Sequence, residues 1–236
     1  MSTAIILTTL RQRFTSPLRL VMLLLLGWTP MLGIVVAPQV GFAPLTDCYF
    51  LALVLAAGMI GQDLSSGTLQ LALARPLTRA QFVFSKWVAV SAGTVFVVLL
   101  QLIVAALVMT IRGAPVPWND AALVLGNDVL LACGTAAVMA LLSALVPGLG
   151  DLGLLFLAFF SGQVLGGIGV MKSWEAVVRG TEELQRFLKP QLDLAFLAQG
   201  GPIPWFAVVS YLSTVTLCLA LAVVVMNRRE LSYASG

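Results

Sequence analysis

Residues 62–86 read QDLSSGTLQLALARPLTRAQFVFSK, the longest polar interruption in the first half of a very apolar chain. The stretch carries one acid, Asp63, and three bases, Arg75, Arg79 and Lys86. Apolar runs flank it on both sides, so it joins two membrane spans, and its excess of bases puts it on the cytoplasmic side. Pro76 stops whatever helix precedes it. Thr78 and Gln81 have the T-x-x-Q spacing of a capping box, with Arg79 as the first helical residue and Leu77 and Phe82 placed for the hydrophobic staple. The pattern predicts a helix that starts at Arg79 and runs through Lys86 and Trp87 into the next span. Upstream, Ser65 or Ser66 can cap a short helix from Gly67 to about Ala74, with Leu69 and Leu73 on one face.

Composition sets the class. Of 236 residues, 60% are hydrophobic and 10% charged, against about 25% charged in soluble domains. That much apolar surface cannot be hidden in a water-soluble core, so the chain is an integral membrane protein. Strands alternating polar and apolar residues are absent, which argues against a membrane barrel and for an all-α membrane protein forming a single domain over residues 1–236. The net charge of +3 is spread over several loops, which suits anionic lipid headgroups and not nucleic acid. Cys48, Cys133 and Cys218 lie in apolar runs without metal-ligand spacing. There is no histidine, hence no use of the commonest metal ligand and general base. No catalytic constellation and no metal site are expected.

Six spans can be marked along the chain. Residues 1–16 are too short to cross a bilayer; Ile6, Leu10 and Phe14 share one face, and the segment reads as an interfacial helix on the cytoplasmic headgroups or as a frayed polar terminus. The spans follow at about 20–36, interrupted by Pro30, 45–61, 87–111, 121–146, 152–170 and 203–226. Asp47 sits wet at the outer end of the second. Pro147-Gly148 and Gly150-Asp151 make a tight turn between the fourth and fifth. Residues 172–201 form the other long polar segment, with Trp174, Val177, Val178, Leu184 and Leu188 on one helical face. With both termini inside, the cytoplasmic segments hold Arg11, Arg13, Arg19, Arg75, Arg79, Lys86, Arg228 and Arg229, which is most of the basic residues. That satisfies the positive-inside rule.

Asp63, Gly67-Thr68-Leu69, Leu73, Pro76, Arg79 and Lys86, in that order between two spans, resemble the cytoplasmic loop of ABC transporter permeases of the type-2 exporter class. That loop runs from an acid to Gly-Thr-Leu, then leucines, Pro-x-x-Arg and a Lys opening the third span. Asp63 stands where the family usually has Glu, and Ser65 where it often has an acid. The six-span layout resembles the same class over the whole chain. The resemblance implies that residues 62–86 carry a coupling helix docking on a separate ABC ATPase, with Asp63, Gly67, Thr68, Leu69, Leu73, Arg75, Pro76 and Arg79 at the contact. Arg75, Arg79 and Lys86 pair with acids or lipid phosphates, and plain headgroup contact is the simpler reading for Lys86.

The chain has no G-x-x-x-x-G-K-[ST] loop to cradle phosphates, so no nucleotide cofactor is expected on it. By the resemblance, ATP and magnesium are bound by two copies of the ATPase partner. A second permease copy or a related permease chain completes the pathway, and the assembly sits in a bacterial or archaeal cytoplasmic (inner) membrane. The segment at 172–201 is then a pair of external helices that re-enter the membrane, the Gly-rich end of the fifth span letting the chain turn back; an ordinary external loop helix is the other reading.

Four polar residues in the spans are pathway candidates. Asp128 is one, because an acid in a span is a functional candidate by default; being only eight residues past Asp120, it also suits a simple place at the outer interface. Asn127 adjoins it. Gln101 and Gln163 either glue helices together or line a path. A six-span scaffold without transport activity is the rival reading. A secondary transporter would show internal repeats and ionisable mid-membrane groups, and neither is evident.

Overall fold

The computed structural model describes residues 3–66, 78–198 and 200–228, and among them there are helices and turns but no strands. The elements are α1 (Thr3–Thr15), α2 (Pro17–Val36), α3 (Tyr49–Ala56), α4 (Gly61–Ser65), α5 (Arg79–Ile111), α6 (Trp118–Leu145), α7 (Gly150–Met171), α8 (Glu175–Leu188), α9 (Ala195–Ala198) and α10 (Trp205–Arg228). Six stretches are long and apolar enough to cross a membrane: α2, residues 43–65, α5, α6, α7 and α10. One end of the bundle, here the basic end, gathers α1, α4 and the last turn of α10. The other, the distal end, carries the turn after α5 and the α8 segment.

Local chemistry accounts for where the helices start and bend. Pro17 opens α2, where its missing N–H is not needed. Pro30 does not end that helix. It leaves the Leu26 carbonyl without its helical donor, and the Thr29 hydroxyl donates to that carbonyl at 3.2 Å. The capping box forms as its spacing predicts: the Gln81 amide donates to Thr78 Oγ1 and the Thr78 amide to Gln81 Oε1. From Arg79 the helix then continues without a break to Ile111.

α6 is the central helix. Leu131, Ala132, Gly134, Thr135, Ala136, Ala137, Val138, Met139 and Ala140 are buried along it, and it packs on α3, α5, α7 and α10. Small residues let helix backbones approach closely where lipid, and not water, is the competing solvent.

Two stretches depart from the expected outline. The second span is not one helix: α3 ends at Ala56, α4 starts at Gly61, and residues 57–60 form a turn with Gly58 at φ +63°. α1 also does not turn its Ile6–Leu10–Phe14 face to lipid. It packs on α5, its most buried residues are Thr9 and Arg13, and Phe14 meets Phe96 edge-on at 6.2 Å.

The distal segment folds back into the bundle. α8 lies along α7 on a row of glycines: a Cβ on Gly169 would meet Val178 and Val177, one on Gly166 would meet Thr181, and one on Gly162 would meet Leu184. At the end of α8, the Leu188 carbonyl accepts from Tyr49 Oη at 3.3 Å. Pro190 then sits so close to Gly134 that a Cβ there would lie 2.7 Å from its carbonyl oxygen. Gly134 is roughly 24 Å along α6 from its distal start, at 1.5 Å per residue. The chain climbs again to Leu194, whose amide donates to Asn127 Oδ1 at 2.8 Å.

Candidate functional site at the basic end

Of the eight residues expected at the coupling contact, Gly67, Thr68, Leu69, Leu73, Arg75 and Pro76 lie outside the described residues, as do the helix expected at Gly67–Ala74 and the staple residue Leu77. Asp63 and Arg79 are described, and they flank that stretch. Each is tied into the bundle.

Asp63 Oδ2 pairs with Lys86 Nζ at 2.6 Å, and both side chains are largely buried, at 14% and 6% exposure. The ammonium also stands 5.5 Å from the centroid of the Phe82 ring, a cation–π contact. Lys86 therefore does not make the plain headgroup contact expected of it. The capped start of α5 brings its second turn against α4, and the buried carboxylate there is a better partner than a solvated phosphate. Arg79 extends to the other side and donates to the carbonyls of Met226 and Asn227, the latter at 2.9 Å. These carbonyls close the last turn of α10, where a cation is favoured by the helix dipole.

The entry to α4 is bound as closely. Arg13 and Arg19 both donate to the carbonyl of Ala57, and Arg19 also donates to Gln62 Oε1 at 2.8 Å. Ser143 Oγ accepts from the amides of Ile60 and Gly61 at 3.0 and 2.8 Å. Asp151 Oδ2 accepts from the Gly58 amide at 2.6 Å. Burial, and then repulsion by Arg19, lower the Arg13 pKa to about 10, while Asp63 and Asp151 oppose the shift. Arg13 thus stays cationic near neutral pH. A cavity of about 530 Å³ opens between α1, α4 and α5, lined among others by Thr9, Gln12, Gln62, Ser65 and the Asp63–Lys86 pair.

The four pathway candidates do not converge on one site. Asp128 is buried within the protein and not placed at a wet interface; Oδ1 accepts from the Cys48 amide at 3.3 Å, and Oδ2 has no partner among the described residues. Asn127 holds the returning distal chain through Leu194. Gln101 joins α5 to α2 by donating to the Gly27 carbonyl at 3.1 Å, which is the helix-gluing reading. Gln163 is exposed on α7 and faces a second cavity of about 530 Å³, shared with Lys189, Phe206, Ser210 and Tyr211. Asp47 is half exposed and paired with Lys189 at 2.7 Å.

Sequence reasoning missed Arg13, Arg19, Ser143 and Asp151 as partners of the second span. The available signal was Gly58 and Gly61 close together in an otherwise apolar run, since paired glycines mark a bend or a close approach.

In comparisons with known proteins, the family described as ABC-2 family transporter protein matches residues 40–231. That stretch runs from just before α3 to past the end of α10. No curated protein matches the chain.

Proposed function

Because the chain belongs to the ABC-2 transporter family, we propose that it is the membrane subunit of an ABC exporter that takes its driving motion from a separate ATPase at residues 67–77. Membership makes it a multi-pass permease component of an ABC transporter, working with an ABC ATPase. The finer reading is ours. The basic end faces the cytoplasm of a bacterial or archaeal cell, two ATPase copies bind ATP and magnesium there, and a second copy of this chain or a related permease completes the pathway. The distal hairpin at residues 172–201 is then re-entrant from the outer face.

One observation carries this reading. The stretch at 67–77 leaves from α4 and returns to α5, and the Asp63–Lys86 pair clamps those two points together. A displacement delivered to Asp63 is therefore shared with Lys86. It reaches α5, a single helix of 33 residues that spans about 50 Å, and through Arg79 it reaches the end of α10. Gly67, Thr68, Leu69, Leu73, Arg75 and Pro76 supply the docking surface, and Asp63 and Arg79 anchor it.

The test is co-purification. With Leu69→Asp, the ATPase should no longer co-purify, while the permease still inserts in the membrane in normal amount. Unchanged ATPase binding removes residues 67–77 from the contact. The rival reading as a six-span scaffold has no observation of its own in its favour.

A further inference from the structure

The second span is broken just before the proposed docking stretch, and polar groups from other helices furnish the break. Interrupting a helix leaves backbone donors and acceptors without partners, which is costly among apolar neighbours. Here five of the freed groups meet partners from elsewhere in the bundle. The Ala57 carbonyl accepts from Arg13 and Arg19, the Gly58 amide donates to Asp151, and the amides of Ile60 and Gly61 donate to Ser143. The Gly61 carbonyl accepts from the Gly148 amide at 2.7 Å. Glycine is required both in the turn and at the start of α4. Gly58 has φ +63°, and a Cβ on Gly61 would lie 2.6 Å from the Gly148 carbonyl oxygen.

These five partners come from α1, α2, α6, α7 and the α6–α7 turn, while the Met59 and Gln62 amides bond back within the span to the Ala56 and Gly58 carbonyls. A continuous helix can only bend, whereas a break held by side chains can turn by exchanging them. Below it, α4 is five residues long and bears Gln62 and Asp63, its ties to Arg19 and Lys86. It has the form of a short lever between the break and residues 67–77. Arg13 is the costliest member: a buried guanidinium beside a second cation, with Nε unpartnered among the described residues. A buried cation with incomplete bonding marks a state that other arrangements can rival.

We infer that residues 57–60 are the pivot at which the second span turns when the transporter cycles, and that Arg13, from a helix outside the matched family region, is the positioning residue that holds the pivot in the described state. This rests on the proposed coupling at residues 67–77. It adds that motion enters the membrane domain through α4 turning as well as through α5.

The test uses the full permease–ATPase complex with spin labels at Ser65→Cys and Leu149→Cys, two exposed positions on α4 and on the α6–α7 turn. The distance between them is measured without nucleotide and after trapping with ATP and vanadate. In the otherwise native chain it should shift by about 2 Å or more, the scale of helix displacements in switching proteins. With Arg13→Gln the ATPase should still co-purify, but the nucleotide-free distance should broaden or move toward the trapped value and the shift should be lost. Arg13→Lys, which keeps a donor for the Ala57 carbonyl, should restore part of the shift. A native distance that is the same in both states overturns the pivot, even if Arg13→Gln fails to fold. A full, unbroadened shift in Arg13→Gln overturns the role of Arg13. Either result with the ATPase still bound leaves the coupling assignment standing, whereas failure of the ATPase to bind the native permease refutes that assignment itself.

Discussion

At the basic end the polar chain is held by charge, and at the distal end the returning hairpin is held by shape. Around α4, three arginines donate to backbone carbonyls and one lysine meets a buried aspartate. Around α8, beside the Tyr49 and Asn127 hydrogen bonds, the close contacts are with bare glycine backbone: Gly162, Gly166 and Gly169 under the helix, Gly134 under Pro190, and Gly126 under Leu194. Among the described residues, the ion pair that ties the hairpin to the rest of the bundle is Lys189–Asp47, and it is partly open to solvent, at 31% and 49% exposure. The difference matters mechanically. A guanidinium can leave one carbonyl for another, whereas a close-packed glycine contact has no second partner to exchange with. The end built for exchange is the end at which we propose the ATPase docks.

The contrast can be broken most directly at Lys86. Lys86→Met takes its cation from the largely buried Asp63 carboxylate, which should cost about 3–5 kcal/mol and be seen as a large drop in the thermal midpoint of the purified protein in detergent. Adding Asp63→Asn should recover most of the loss. If the single variant is no worse than the double, charge is not what holds the basic end. At the other end, Gly134→Val puts a side chain into the Pro190 carbonyl and should cost about 1–3 kcal/mol. Gly153→Ala is its control, since a Cβ there meets nothing within 4 Å and the midpoint should not fall. The smallest effect is expected from Lys189→Ala, at about 0.2–1 kcal/mol. Raising the salt should erase that difference while leaving the cost of Lys86→Met nearly intact, because solvent ions screen exposed pairs far more than buried ones. Equal salt sensitivity at the two sites would remove the distinction.

What was legible in the sequence was whatever short-range pattern decides. Apolar run length marked the six spans. The Thr78–Gln81 spacing marked the start of α5 to the residue, because a capping box needs only its own four positions. The family was readable for the same reason, from a short ordered motif. The break in the second span was not, since Cys48–Gly61 is apolar throughout and the groups that furnish its turn lie at positions 13, 19, 143 and 151. Lys86 was misread likewise. Near a bilayer surface a lysine suits headgroups, and only the return of α5 against α4 supplies Asp63 instead. For α1, helical spacing picked out Ile6, Leu10 and Phe14, but Gly93 admits Leu10 and Phe14 obliquely and so centres the buried face on Thr9 and Arg13.

The glycine-lined helix has a consequence of its own. α7 carries Asp151 one residue in from its start and Gly169 two residues before its end, so the same stiff cylinder holds the Gly58 amide at one side of the membrane and carries α8 at the other. A cylinder transmits twist without needing to slide. A few degrees of rotation set off beside Gly58 would swing α8 through the same angle, and the distal hairpin would register events at the basic end with no chain of intermediaries between them.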